Sequence, residues 1–250
     1  MAAINSRTSL IWMKLVYSMG TFSQILFEQS ELIIMGRLPP DQGLADKKWS
    51  GVKGVKVRLT YAFTTNADGS RKQEAFIIGK YEKPRAFTWK SGAQLGFYYQ
   101  NNAKAWMTTI LYQEWLHEWD LKLKQEKKNI LLLQDNFSGH VVPDDLQCIC
   151  VENFKPNLTS HIQPNDQGII HCFKAHYQAK FIKCAINHYD TGVTPSAIYE
   201  INQLQVMWLA DEAWKEVDAT TIVGAVQPCV SPVGGAFRAS GSSSWYGALW

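Results

Sequence analysis

The chain has 250 residues, 46% hydrophobic and 19% charged, a balance that argues against global disorder and supplies enough apolar side chains for one sizeable core. Its formal net charge of +3 is too small to argue for a nucleic-acid partner by itself. No run approaches the roughly 20 apolar residues that span a bilayer, and Leu10 to Tyr17 is broken by Lys14 and makes a poor signal peptide. Five cysteines without framework spacing fit reduced thiols, so the expectation is a soluble, intracellular chain with no membrane partner.

In chain order, residues 1–36 are apolar and irregular. Lys47, Lys48, Lys53, Lys56 and Arg58 follow within a stretch free of acids, either a phosphate-facing strip or a solvated surface. Val55 to Thr64 alternates β-branched and aromatic residues and predicts a strand. Asn66-Ala67-Asp68-Gly69 marks a turn, and Glu74 to Gly79 supplies the returning strand of a hairpin. From Thr109 to Leu123 the period becomes helical, with Leu111, Trp115 and Trp119 four apart and Thr108 as N-cap.

The run Ile130 to Leu133 is wholly apolar between polar flanks, which suits a strand buried on both faces. Ile149 to Phe154 predicts another strand. Pro164 opens a long helix whose apolar stripe is Ile169, Phe173, Tyr177 and Phe181, and Tyr199 to Val217 reads as a further helical segment. Strands followed by helices imply a mixed sheet covered by helices, an α/β domain over residues 37–222. Beyond it, residues 223–250 hold five Gly, five Ser and two Pro with no acid, so the expectation there is a disordered tail.

Two carboxylates stand where chemistry is expected. Asp135 leaves the buried strand at its carboxyl end, where α/β sites form, and Asp166 sits in the first turn of the predicted long helix. Carboxylates brought together without a base favour Mg²⁺ or Mn²⁺, and a two-metal site serves phosphodiester chemistry. A turn former at 135 and a helix-start charge at 166 explain the same residues. His140 and Asn136 lie close enough to Asp135 to orient it, or are plain loop residues. Lys174, Lys180, Lys183 and Gln167 either contact DNA or are solvated. His171, Cys172, His176 and Cys148-x-Cys150 are read as ordinary residues rather than zinc ligands, whose paired spacings are usually tighter. Trp106, Trp115 and Trp119 are read as core rather than as a base-stacking platform.

The segment Leu131 to His140 (LLLQDNFSGH), followed by Leu158 to Ile170 (LTSHIQPNDQGII), resembles the DDE endonuclease domain of pogo/Tigger-type transposases, most closely fungal ones. Lys56 to Phe63, Asn66-Ala-Asp-Gly69, Ile78-Gly-Lys80, Lys83-Pro-Arg85 and Ala105-Trp-Met-Thr108 add to it, in the family's order, over residues 37–222. The resemblance implies an RNase H-like fold, three acidic ligands for Mg²⁺ or Mn²⁺, DNA as partner, a nuclear location and room for a homodimer. Asp135 takes the place of the second acid and Asp166 that of the third. The first belongs on an opening strand where the family reads Asp-Glu-Thr-Gly; here Phe27-Glu28-Gln29-Ser30 stands instead, with Glu28 alignable and Gln29 one position away.

That departure leads us to expect an impaired enzyme, because glutamate reaches one methylene further and metal geometry is demanding. An expected N-terminal helix-turn-helix is missing and the Gly/Ser tail looks foreign, so a damaged element is one reading. A non-catalytic, domesticated nucleic-acid-binding protein is the alternative.

Overall fold

The computed structural model of the chain describes residues 26–35, 58–153, 168–194 and 197–230. The strands are β1 (Leu26–Met35), β2 (Arg58–Asn66), β3 (Phe76–Gly79), β4 (Tyr99–Asn101), β5 (Ile130–Gln134) and β6 (Ile149–Asn153). The helices are α1 (Thr109–Glu126), α2 (Ile170–Asp190), α3 (Gln203–Glu216) and α4 (Ala219–Val230). One sheet holds all six strands in the order β4-β3-β2-β1-β5-β6. β2 is antiparallel to both its neighbours, β3 and β1, while β4 runs parallel to β3, and β5 and β6 run parallel to β1. Hence five strands point their carboxyl ends toward one edge, and the start of β2 joins them there. The architecture is α/β, a mixed six-stranded sheet with helices on both faces.

Two-sided burial explains these elements. Along β2, Leu59, Tyr61 and Phe63 pack with Phe173 and Tyr177 of α2 and with Met207 and Trp214 of α3. Ala62 faces the opposite layer, where Phe76 and Ile78 of β3 meet Tyr112, Trp115 and Trp119 of α1. β5 divides the same way: Ile130 and Leu132 face α1, and Leu131 and Leu133 face away. Each such Leu or Ile contributes about 1.5–3 kcal/mol on burial. The stripe of α2 expected from its period is buried throughout, at Ile169, Phe173, Tyr177 and Phe181.

Polar contacts fix the ends of the elements. Thr108 Oγ1 accepts from the Leu111 N–H (3.4 Å) and caps α1. Asn202 and Gln205 close a reciprocal capping box at the start of α3. The Lys72 ammonium donates to the carbonyls of Trp214 (2.8 Å), Lys215 (3.1 Å) and Val217 (2.6 Å), tying the β2–β3 connection to the end of α3. Asn66 Nδ2 donates to Asp68 Oδ1 (2.7 Å), and Gly69 takes φ +69° to close the turn.

The opening strand that the resemblance places around Glu28 is present as β1, ten residues long at the centre of the sheet, in a segment whose composition alone reads as irregular. Two features differ from the sequence reading. α4 crosses residue 222, where the tail was expected to begin, and Val226 beyond it is buried with Ile222, four residues earlier on the same helix face. Trp106 is not core: it is 45% exposed at the sheet edge, whereas Trp115 and Trp119 are buried. The helix start predicted at Pro164, and Lys47, Lys48, Lys53 and Lys56, lie outside the described residues.

The buried carboxylate of Asp120 on α1 carried no signal in the sequence. Its Oδ1 accepts the N–H groups of Cys148 (2.7 Å) and Ile149 (3.1 Å), and that of Gln147 lies 3.2 Å away, so one side chain sets the entry of β6. Replacing Asp120 by Ala leaves buried donors unmatched, and the expected loss is about 1–3 kcal/mol of unfolding free energy. Asp120→Asn, which retains a single acceptor oxygen, should lose less; urea unfolding of both variants checks the ranking.

Candidate functional site

β5 stops being able to continue at its last residue. Gln134 is fully buried, and its amide is committed on both sides: Nε2 donates to the His140 carbonyl (3.2 Å) and to Asn153 Oδ1 of β6 (2.7 Å). Its Oε1 accepts from the hydroxyl of Tyr112 on α1. The next residue, Asp135, therefore leaves the sheet as a half-buried carboxylate at its carboxyl edge, anchored through both neighbouring layers.

The loop after it folds back onto that carboxylate. Asp135 Oδ1 accepts from the Phe137 N–H (3.1 Å) and from Nδ1 of His140 (2.7 Å), while the His140 N–H donates to the Phe137 carbonyl (3.0 Å). The His140 side chain is wholly buried. Its ring lies 4.6 Å from that of Tyr112 and 5.3 Å from that of Phe137, which meets it edge on. Burial pushes the Asp135 carboxyl upward, but the hydrogen bond and charge of His140, with the Phe137 N–H, outweigh it and hold the group below the usual carboxylate range. Among the described residues both hydrogen bonds fall on Oδ1. Oδ2 is the oxygen available to a hard cation, which suits Mg²⁺ or Mn²⁺ in donor chemistry.

The other expected ligands are placed unequally. Glu28 lies on β1, the strand next to β5, with Leu133 as its register partner two residues before Asp135. Gln29 follows it, opposite Thr64 of β2. Asp166, with Gln167, lies outside the described residues. Among the described residues no three His, Cys, Asp or Glu side chains are grouped closely enough to hold a metal. Asn136 is exposed beside Asp135.

On α2, Lys174 and Lys183 are exposed. Lys180 departs from the expectation of a phosphate contact, because its ammonium sits 3.3 Å from Glu212 and 2.7 Å from Glu216 of α3 and is already neutralised there. His176 is likewise paired to Glu216 (3.1 Å). Burial pushes the Cys148 thiol upward and that of Cys150 to about 11. Sequence reasoning missed Gln134 and Tyr112; a glutamine ending an all-apolar run was the available signal.

The chain is similar in sequence to known proteins. The family model described as DDE superfamily endonuclease matches residues 56–225. Tigger transposable element-derived protein 4 of Mus musculus is 30% identical over 200 residues, covering 79% of this chain and 38% of that protein. CENP-B homolog protein 2 of Schizosaccharomyces pombe is 28% identical over 201 residues, covering 74% of this chain and 37% of its own length. The chain thus spans well under half the length of these relatives. Among solved structures, the Mos1 strand transfer complex aligns with a TM-score of 0.48 at 12% identity, covering 91% of this chain and 60% of that one.

The depressed pKa of Asp135 has a definite sign. A carboxyl lowered on folding adds stability that is present above its unfolded value near 3.8 and is lost as pH falls through the folded value. His140→Ala removes the lowering influences of the imidazole and leaves burial, so the Asp135 carboxyl should titrate at higher pH than in the parent. Carboxyl ¹³C shifts followed against pH measure this directly; an unchanged titration would mean that His140 does not set the charge of Asp135.

Proposed function

The chain belongs to the DDE superfamily endonucleases, and from that membership we propose that it is a transposase-derived domain that handles DNA in the nucleus, with metal-dependent cleavage and strand transfer as its ancestral reaction. The observation that carries the reading is Asp135, a carboxylate at the carboxyl end of the doubly buried strand β5, kept ionised and oriented by His140 and Phe137. Glu28, one strand away in register with Leu133, and Asp166 complete the proposed ligand set. Bound Mg²⁺ or Mn²⁺ would supply charge stabilisation at the attacking and leaving oxygens of the scissile phosphate.

The protein's own part is positional. The Gln134 network fixes where the chain leaves the sheet, and the His140 contact fixes the rotation of the Asp135 carboxylate. Lys174 and Lys183, exposed on α2, are suited to backbone phosphates; Lys180 instead links α2 to α3.

A second reading has its own support. Glu28 stands where the family's pattern has Asp, and a longer side chain at a ligand position degrades metal geometry. On that reading the chain binds DNA without cutting it.

Plasmid nicking separates the two. On the cleavage reading, the full chain with Mn²⁺ and supercoiled plasmid should convert closed circles to open circles, and Asp135→Asn should reduce the product to the protein-free background. Absent nicking, or nicking that survives Asp135→Asn, contradicts the cleavage reading. Salt-sensitive DNA binding in EDTA would then support the binding reading.

A further inference from the structure

The loop that closes on Asp135 carries more than the carboxylate needs. Residues 136–143 hold no Lys, Arg, Asp or Glu. Two of their apolar side chains nevertheless stand in water, Phe137 at 41% exposure and Val141 at 49%. The carboxylate itself uses only the Phe137 N–H and Nδ1 of His140. That N–H belongs to the backbone, and any residue except proline would supply it. The benzyl side chain has another cause.

Cover for His140 is part of it. The Phe137 ring meets the imidazole edge on, with ring centroids 5.3 Å apart, and the His140 side chain is wholly buried. Apolar cover has no directional requirement, so an aliphatic side chain would serve there as well. The ring, however, has a seat shaped for it. A Cβ on Gly139 would lie 2.5 Å from Cε1 of Phe137, so glycine stands where the ring passes. The loop is anchored at both ends. Gln134 Nε2 donates to the His140 carbonyl (3.2 Å), and Gln113 Nε2 of α1 donates to that of Val141 (3.1 Å). A ring presented on a fixed backbone gives up little freedom when a partner arrives.

Position limits what that partner is. Asp135 and the Phe137 ring both lie against His140, the carboxylate oxygen 2.7 Å from Nδ1 and the ring at 5.3 Å. A strand whose phosphate is held at Asp135 brings its sugar and base into the surroundings of that carboxylate. Among the described residues of the loop, Phe137 is the aromatic group exposed there.

We propose that the Phe137 ring is the stacking contact for the nucleobase next to the phosphate bound at Asp135. The inference rests on the reading of Asp135 as a DNA site and adds which side chain sets the strand against it. Every base has a π-face, so the contact is tolerant of sequence. In an intact duplex those faces are occupied by neighbouring bases, so the contact selects a strand that is unpaired at this point.

The test uses the full chain and a fluorescent oligothymidylate, read by anisotropy with Mn²⁺ and again in EDTA. The affinity gained with Mn²⁺ reports binding at Asp135, and Asp135→Asn should remove it. Phe137→Leu keeps an apolar cover over His140 but has no ring. It should weaken binding in Mn²⁺ by roughly fivefold or more, the loss of one base–aromatic stack, whereas Phe137→Tyr should bind like the parent. The Asp135 carboxyl should titrate alike in Phe137→Leu and the parent, because His140 and the backbone N–H are both retained. With one thymine replaced by 5-iodouracil, irradiation in Mn²⁺ should join the oligomer to Phe137, located by mass spectrometry of the digested adduct.

Unchanged affinity in Phe137→Leu, while Asp135→Asn removes the Mn²⁺ gain, overturns the proposal and leaves the DNA site at Asp135 standing. An adduct at another residue overturns it too, as does a fully paired duplex bound as tightly as the single strand. A loss in Phe137→Leu accompanied by a shifted Asp135 titration assigns the ring to the support of His140 instead. A Mn²⁺ gain that is absent, or that survives Asp135→Asn, removes the underlying reading and the proposal with it.

Discussion

Burial of β5 on both faces is the constraint from which the site follows. Ile130 and Leu132 are claimed by the α1 layer, Leu131 and Leu133 by the opposite side, and β1 and β6 flank the strand on either edge. A strand enclosed in this way has one outlet, its carboxyl end. The polar groups that gather there are held by the core rather than by loop sequence: Tyr112 from α1 and Asn153 from β6 both fix Gln134. Asp135 inherits its position from them, and its charge from His140. Position and ionisation thus have separate causes, and substitutions can disturb them separately.

How much was legible in the sequence follows from how local each signal was. Ile130 to Leu133, the Phe173–Tyr177–Phe181 stripe and the Thr108 cap were readable because their periods or chemistry are complete within a few residues. β1 was legible only through the resemblance, since Glu28, Gln29, Ser30 and Glu31 interrupt any apolar alternation in a strand whose central place comes from pairing with β2 and β5. β4 is three residues long and carries no period. Asp120 carried no local signal, because its role depends on N–H groups 27 to 29 residues later. Gly224 and Pro228 suggested a tail, while the i, i+4 pair Ile222 and Val226 decides the helix by packing.

The candidate site was legible in part for the same reason. Asp135 stood out as an acid closing an apolar run, and His140 as its near neighbour. The Gln134–Tyr112 support did not, because it joins residues 22 positions apart. Trp106 was misjudged by composition: aromatic residues usually fill cores, but here the chain turns at Asn102 and leaves the ring beside Arg58 and Lys104. The sheet's direction then unites features that lie far apart in sequence, since parallel strands bring the ends of β1, β3, β4, β5 and β6 to one edge.

The cation site proposed at Asp135 is open to direct measurement. Manganese is paramagnetic, so titrating it into the ¹⁵N-labelled full chain and following the loss of backbone amide signals reports where it sits. Saturable broadening centred on residues 135–140 and on the β1 amides around Glu28, abolished by Asp135→Asn, is the expected result. Broadening that ignores Asp135→Asn, or that spreads over surface acids without saturating, would contradict it.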